Sequence, residues 1–458
     1  MPQSNFFIRK SKGKSDSVKR KKPEPERTSK KKIRKNDEKS EEIISSDEES
    51  IGNDTGYAEE QSSEEETEQE KKLRLAKKYL AQLDEEEREK NDLDDTKEAI
   101  SRRLKEEALE EAGRLQKKIA HEYENVVPVT EAVFKDHKLS ITALAISSSE
   151  EFFFSASKDC SIIKWSIEEK RKLKVIKGGR KGEENTHCGH TDHILALALS
   201  HDDKFLASGC RNRIIHIWNP ETLEHIKTFK GHKAAITGLV FQRNSHQLIS
   251  ASEDRTLKLW SLDEMGYIET LFGHQDAVTG IDCFAGETAI TCGGRDNSVR
   301  IWKILEESQL LFQGHNVSID CICVSSFRCF VSGGDDGSLS LWGTQKKKPL
   351  FKLREAHGTD EESETPNWII SLTAMQNTDL IASGSKDGFV RLWRRDDDSR
   401  RLIPITKIPV NGVVNSLKFS TSGKYLLVGI GKEHRFGRWW KLKEAKNSIL
   451  LLSWKKEN

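Results

Sequence analysis

The sequence predicts an all-β protein, a closed seven-bladed β-propeller preceded by a disordered charged tail and amphipathic helices. Three observations carry this expectation. Trp165, Trp218, Trp260, Trp302, Trp342, Trp393 and Trp440 recur at intervals of 53, 42, 42, 40, 51 and 47 residues. Each of the first six lies six residues after an Asp or Asn: Asp159, Asn212, Asp254, Asp296, Asp336 and Asp387. Between these landmarks run short alternating apolar stretches such as AITGLVF, QLISAS and TLKLW, whose period of two puts apolar side chains on one face of a strand. Several such strands in each repeat of about 40 residues are the signature of WD-repeat blades.

Residues 1–68 read as a disordered tail. Arg9 to Lys35 holds 14 basic and three acidic side chains, whereas Asp37 to Glu70 holds 15 acidic ones and a single Lys. Blocks of like charge repel themselves and bury little apolar surface. Two basic clusters, Lys19, Arg20, Lys21, Lys22 and then Lys30, Lys31, Lys32, Arg34, Lys35, read as a nuclear or nucleolar localisation signal. Non-specific RNA contact is compatible with that reading. Ser45 and Ser46 each stand three residues before an acid, the pattern of an acidophilic kinase site. No apolar run is long enough to span a bilayer and no hydrophobic signal core opens the chain, so no membrane is expected. The eight Cys include no CxxC pair and sit mostly in strand-like runs such as IDCICV, as reduced core residues would.

Residues 69–123 are expected to be a helical, partner-binding segment. Leu73, Ala76, Leu80 and Leu83 recur at helical spacing, as do Ile100, Leu104, Ala108, Leu115 and Ile119. Asp95 or Thr96 suits the N-cap of the second helix. These stripes are too narrow for a core of their own, which favours helices laid on a protein or RNA partner.

The propeller is expected over residues 124–458. Each of six blades offers a His, a small hydroxyl or thiol residue, an Asp or Asn, and a Trp. The His positions are His137, His190, His232, His274, His315 and His357; the small residues are Ser155, Ser208, Ser250, Cys292, Ser332 and Ser383. A set repeated six times builds structure, since a catalytic site is unique. The expected relay runs from Trp to Ser to His to Asp and satisfies each buried polar group. No enzymatic activity is expected. The seventh blade reads as VNSLKF, YLLVGIG and RFGRWWKL, with its outer strand from EAVFKD, from NSILLLSW, or from both in a five-stranded blade.

Several stretches are more specific than the repeats. QEKKLRLAKKYLAQL, RLKEEALEEAGRLQKKIA, GGRDNSVRIWKILEESQL and NSLKFSTSGKYLLVGIGKEHRFGRWWKLKEAKNS resemble the WD-repeat subunits of the U3 small nucleolar ribonucleoprotein, from about residue 40 to the end. The resemblance implies a nucleolar box C/D particle, bound at the B/C motif of U3 small nucleolar RNA beside a small kink-turn-binding protein. It further implies other box C/D core proteins and small-subunit processome proteins as partners, with the chain monomeric in the particle. The implied role is in pre-ribosomal RNA processing and small-subunit assembly. The competing reading is a nuclear protein–protein adaptor, such as a ubiquitin-ligase substrate receptor or chromatin reader.

In a propeller the turns bearing Asp and the loops bearing His open on one face. The residues just before each Asp sample that face: Lys158, Arg211, Glu253, Arg295, Asp335 and Lys386. With Lys432, His434, Arg435 and Arg438 of the seventh blade they predict a basic arc over blades six, seven, one and two, suited to phosphates, with Arg295 apart. The stretch KRKLKVIKGGRKGEENTHC, read as an insertion between blades one and two, adds Lys174, Lys177, Arg180 and Lys181. The acidic insertion HGTDEESETPNW suits a basic protein instead. HCGHTDH carries metal-ligand side chains, but His190 belongs to the structural set and no second ligand pair follows. No metal or other cofactor is expected.

Overall fold

Apolar alternation and turn residues break the chain into short strands, which form seven four-stranded antiparallel sheets, six of them in sequence order and the seventh completed by the first strand. The computed structural model describes residues 71–79, 82, 96–111, 115–124, 126–179, 188–284, 286–360 and 364–456. The innermost strands of blades one to seven are Ile141–Ile146, Ile194–Leu199, Ile236–Phe241, Val278–Cys283, Ile319–Ser326, Ser371–Ala374 and Val413–Phe419. Each packs against the innermost strand of the next blade, and the seventh packs against the first, so the ring closes.

Packing between blades supplies the core. One cluster joins Phe153, Ile163 and Trp165 of blade one to Leu427, Ile449 and Leu451 of blade seven; another joins Val331 and Leu341 of blade five to Ile381 and Trp393 of blade six. Burying one such side chain contributes roughly 1.5–3 kcal/mol. Hydroxyls on the inner strands also cross between blades: Thr142 donates to the Ile194 carbonyl at 2.6 Å, Thr279 to that of Ile319 at 2.6 Å, and Ser371 to that of Val414 at 2.9 Å.

Blade seven departs from expectation. Its order from the inside is Val413–Phe419, Tyr425–Gly431, Ser448–Lys456 and Val126–Phe134. Both terminal segments are used, in a four-stranded blade. The RFGRWWKL stretch is not its third strand. Leu426 pairs with Leu452, where Leu248 of blade three pairs with Trp260, so Leu452 holds the Trp position. Trp440 belongs instead to an insertion between the second and third strands.

Before the ring, residues 71–79 are helical and a helix spans Thr96–Glu111. The helical pattern expected to continue through Leu115 and Ile119 does not. There the Lys117 N–H donates to the Asn377 carbonyl, and the buried Asp379 carboxylate takes the N–H groups of Ile119 and Ala120 at 2.9 and 3.0 Å. Those contacts replace helical bonds and strap the segment to blade six. Tyr123 continues the strap: its hydroxyl donates to the Gly423 carbonyl and its ring meets Trp454 edge-on. The localisation clusters, Ser45 and Ser46 lie outside the described residues. Among the described residues no helix is long and apolar enough to cross a membrane. Five of the eight free Cys are buried, and Cys188 is exposed.

Candidate functional site

Strands that meander from the inside outward place their turns alternately at the two ends of the blade. The Asp turns and His loops therefore share one face. In blades one, three and six the relay is complete. In blade three, the Trp260 indole N–H donates to Ser250 Oγ at 2.9 Å, that hydroxyl lies 2.7 Å from His232 Nε2, and His232 Nδ1 lies 2.9 Å from Asp254. Trp165, Ser155, His137 and Asp159 repeat it in blade one, and Trp393, Ser383, His357 and Asp387 in blade six. Burial alone would raise the Asp254 carboxyl, but hydrogen bonds from His232 and Thr256 hold it well below the usual range.

Three blades modify the relay. In blade four the hydroxyl is that of Thr291, 2.8 Å from both His274 Nε2 and Trp302 Nε1, and not the thiol of Cys292. The turn before Asp296 is one residue longer here, so counting four residues back from Asp lands on the wrong side chain. In blade five the Trp342–Ser332–His315 part is intact, but Asp336 turns to Lys352 at 3.1 Å and leaves His315 Nδ1 without a partner among the described residues. Burial then pulls the His315 imidazole down to about 4. In blade two Trp218 and His190 share Ser208, while Asn212 bonds Thr191 and His190 Nδ1 has no partner among the described residues. His190 packs against His216 there, with ring centroids 4.5 Å apart. Among the described residues no group of three His, Cys, Asp or Glu is placed to hold a metal.

The blade-seven insertion, residues 432–447, is fixed by side chains expected to meet phosphates. Lys158 is buried; its ammonium donates to the carbonyls of His434 and Gly437 at 2.6 and 3.2 Å, with Glu433 3.8 Å away. Burial lowers its pKa, against the pull of Glu433. His434 is buried among Trp368, Trp439 and Trp440, with the Trp439 centroid 5.1 Å away. Burial brings its imidazole down to about 3, so it is neutral. Arg435 reaches the far side of the ring and donates to the carbonyls of Asp320 and Thr279 at 2.8 and 3.4 Å. These three hold the loop in place, with protein acceptors or burial already around each of them.

Lys386 is also committed, to Asp360 at 2.8 Å and over the Trp440 ring at 4.9 Å. The expected arc is thus neutralised at blades one and six. Arg211 and Arg295 remain exposed on this face, Lys432 is half-buried, and the Arg438 side chain is 73% exposed beside Glu433 at 3.3 Å. The basic stretch after blade one is not all insertion. Lys172–Ile176 is the outer strand of that blade, and Lys174 on it donates to the Thr222 carbonyl in a turn of blade two at the opposite face. Lys177 is exposed; Arg180 and Lys181 lie outside the described residues. Sequence reasoning missed Trp439, which is 61% exposed on the insertion next to Arg438. Two adjacent Trp in an otherwise polar loop, off the repeat spacing, are the signal that could have found it.

A closed ring of seven four-stranded blades, six of them carrying a Trp–hydroxyl–His relay, is a WD-repeat propeller protein. The WD domain, G-beta repeat family matches residues 129–166, 182–219, 223–261, 266–303, 306–343 and 358–394. The chain is 54% identical to mouse U3 small nucleolar RNA-interacting protein 2 over 385 residues, covering 83% of this chain and 81% of that one. It is 28% identical to yeast ribosomal RNA-processing protein 9, over 63% of this chain and 64% of the other. A solved structure of U3-55K matches with a TM-score of 0.68 and 50% identity, covering 70% of this chain and 97% of that chain. The chain belongs to the U3 small nucleolar RNA-interacting protein 2 family.

Proposed function

We propose that this protein is a non-catalytic, nucleolar WD-repeat subunit of the U3 small nucleolar ribonucleoprotein that acts in ribosomal RNA processing and small-subunit assembly. The 54% identity to a protein named for its interaction with U3 small nucleolar RNA, sustained over most of both chains, carries this reading. In its finer form the protein sits in a box C/D particle, holds the U3 B/C motif beside a kink-turn-binding small protein, and meets other box C/D core and processome proteins as a monomer.

The RNA-facing surface of this reading is the Asp and His face. Its exposed cations include Arg211, Arg295 and Arg438, with Lys432 at the edge of the insertion. Trp439 beside Arg438 gives an unpaired base a ring to stack on, while the guanidinium takes the adjoining phosphate. Residues 124–458 hold 46 basic and 42 acidic side chains, so attraction to RNA is local to such patches.

The test is affinity for a U3 B/C hairpin against salt, with the full chain and the purified kink-turn protein. Binding should weaken as salt rises, and Arg211→Glu with Arg438→Glu should cut it about tenfold or more, since each lost phosphate contact removes counterion release. Equal affinity for an unrelated hairpin, or crosslinked RNA from cells lacking U3, overturns the reading.

A further inference from the structure

A propeller leaves seven outer strands whose unpaired N–H and C=O groups face solvent, and such edges recruit other strands unless guarded. Most outer strands here carry recognisable guards. Blade one's Lys172–Ile176 has two lysines and a bulge, and blade two's His225–Lys230 has the same. Blade three's Gly266–Phe272 has Glu269 and a bulge. Blade five's Phe351–Leu353 is three residues long with a central lysine. Blade six's Arg401–Pro409 and blade seven's Val126–Phe134 have prolines, charges and a bulge each.

Blade four differs. Its outer strand, Ser308–Gln313 with the sequence SQLLFQ, has no charged residue and no proline. Its pairing with Ser298–Lys303 runs unbroken from Ser298 opposite Gln313 to Lys303 opposite Ser308. Phe312 anchors it, 1% exposed, while Leu310 is 37% exposed. Two more apolar side chains flank it: Leu305, 80% exposed in the preceding turn, and Phe272, 71% exposed at the end of blade three's outer strand. The following Gly273 lies against Gln309. Charge is one-sided. Glu306 and Glu307 stand exposed at the start of the strand, and Glu306 pairs with Lys303 at 2.8 Å.

We propose that the outer edge of blade four docks an extended segment of a protein partner, added as a fifth strand. Main-chain hydrogen bonds along six residues, roughly 20 Å of strand, supply the affinity. Leu310, Leu305 and Phe272 select apolar or β-branched side chains at alternate positions of the segment. Glu306 and Glu307 select Lys or Arg at the end lying against them. The lysines, prolines and bulges of the other edges keep such a segment off the rest of the rim.

The probe is a fluorescein-labelled synthetic nonapeptide of alternating Val and Thr with two arginines at one end, titrated with the full-length chain. Saturable binding is expected. Leu310→Lys, which gives blade four the guard of blades one and two, should weaken it about tenfold or more, equivalent to 1.4 kcal/mol per decade. Ser308→Lys, tested separately, should act likewise, and both variants should melt with the native chain. Leu173→Lys on blade one should leave binding unchanged, and a peptide ending in two glutamates should bind about tenfold more weakly. No saturable binding, binding indifferent to Leu310→Lys and Ser308→Lys, or equal binding of the glutamate peptide overturns the proposal. So does a concentration-dependent dimer in sedimentation that Leu310→Lys abolishes, since a second copy would then occupy the edge.

Discussion

Arg435, on the blade-seven insertion, donates to the main-chain carbonyl of Asp320 on blade five's inner strand at 2.8 Å. One loop is thereby tied across the ring, near a carboxyl that is itself buried. Burial pushes Asp320 up from 3.8 to about 6, and Arg435 holds that rise in check.

Removing the brace should therefore cost stability most at neutral pH. Arg435→Ala is expected to destabilise by about 1–3 kcal/mol, the usual range for leaving buried polar partners unpaired. Asp320 titrates higher in the folded state than in the unfolded one. Its ionisation thus opposes folding above about pH 6, and that opposition fades as pH falls toward 3.8. Urea midpoints at pH 7.5 and pH 4.5 should show the larger loss at pH 7.5. An equal loss at both values would dissociate Arg435 from the Asp320 charge.

The blade-four relay separates two adjacent residues. Thr291→Ala orphans both His274 Nε2 and Trp302 Nε1 and should cost about 1–3 kcal/mol. Thr291→Ser keeps the hydroxyl and should recover most of that. Cys292→Ala leaves the relay whole and loses one buried sulfur, so it should cost less than Thr291→Ala. Thermal unfolding of the three variants decides the order.

Acid should unfold the protein partly through imidazoles held neutral. Burial lowers His216 and His315 from 6.5 to about 4, with neighbouring cations or imidazoles adding to it. The unfolded chain then binds protons first as pH falls. Stability from these groups is full above about pH 6.5 and lost progressively down to about 4, at roughly 1.4 kcal/mol per pH unit for each group. His315→Gln should flatten the dependence of unfolding free energy on pH between 6.5 and 4 by about one proton's worth. An unchanged slope would mean that His315 does not titrate in that window.

What repeats was legible, and what interrupts the repeat was not. Spacing located six blades, because Trp260, Ser250, His232 and Asp254 stand at distances that strand geometry fixes. The same counting misplaced Thr291 and Trp440, where one extra residue in a turn and a long insertion break the interval. Charge was legible as composition but not as availability. Lys158 and Arg211 occupy equivalent positions, yet Lys158 lies beneath the insertion and Arg211 stays in solvent. No local pattern announces which loop will fold back. The loss of helix at Ile119 had the same cause, since the carboxylate that takes its backbone N–H belongs to Asp379, far along the chain.

Ring closure rests on the last strand. Ser448–Lys456 pairs with Tyr425–Gly431 on one side and Val126–Phe134 on the other. Ile449, Leu451 and Leu452 on it are each at most 1% exposed. At roughly 1.5–3 kcal/mol apiece their burial contributes about 5–9 kcal/mol, comparable to the roughly 5–15 kcal/mol that holds an ordinary domain folded. A chain ending at Asn447 should therefore lose cooperative unfolding in calorimetry, and its first strand should become open to protease around Val127 and Val133. Both follow from the same lost sheet. Adding residues 448–458 back as a synthetic peptide should restore protection of Val126–Phe134, because that strand has no other partner in blade seven. Protection without the peptide would mean that the first strand pairs elsewhere and that the ring closes by a different seam.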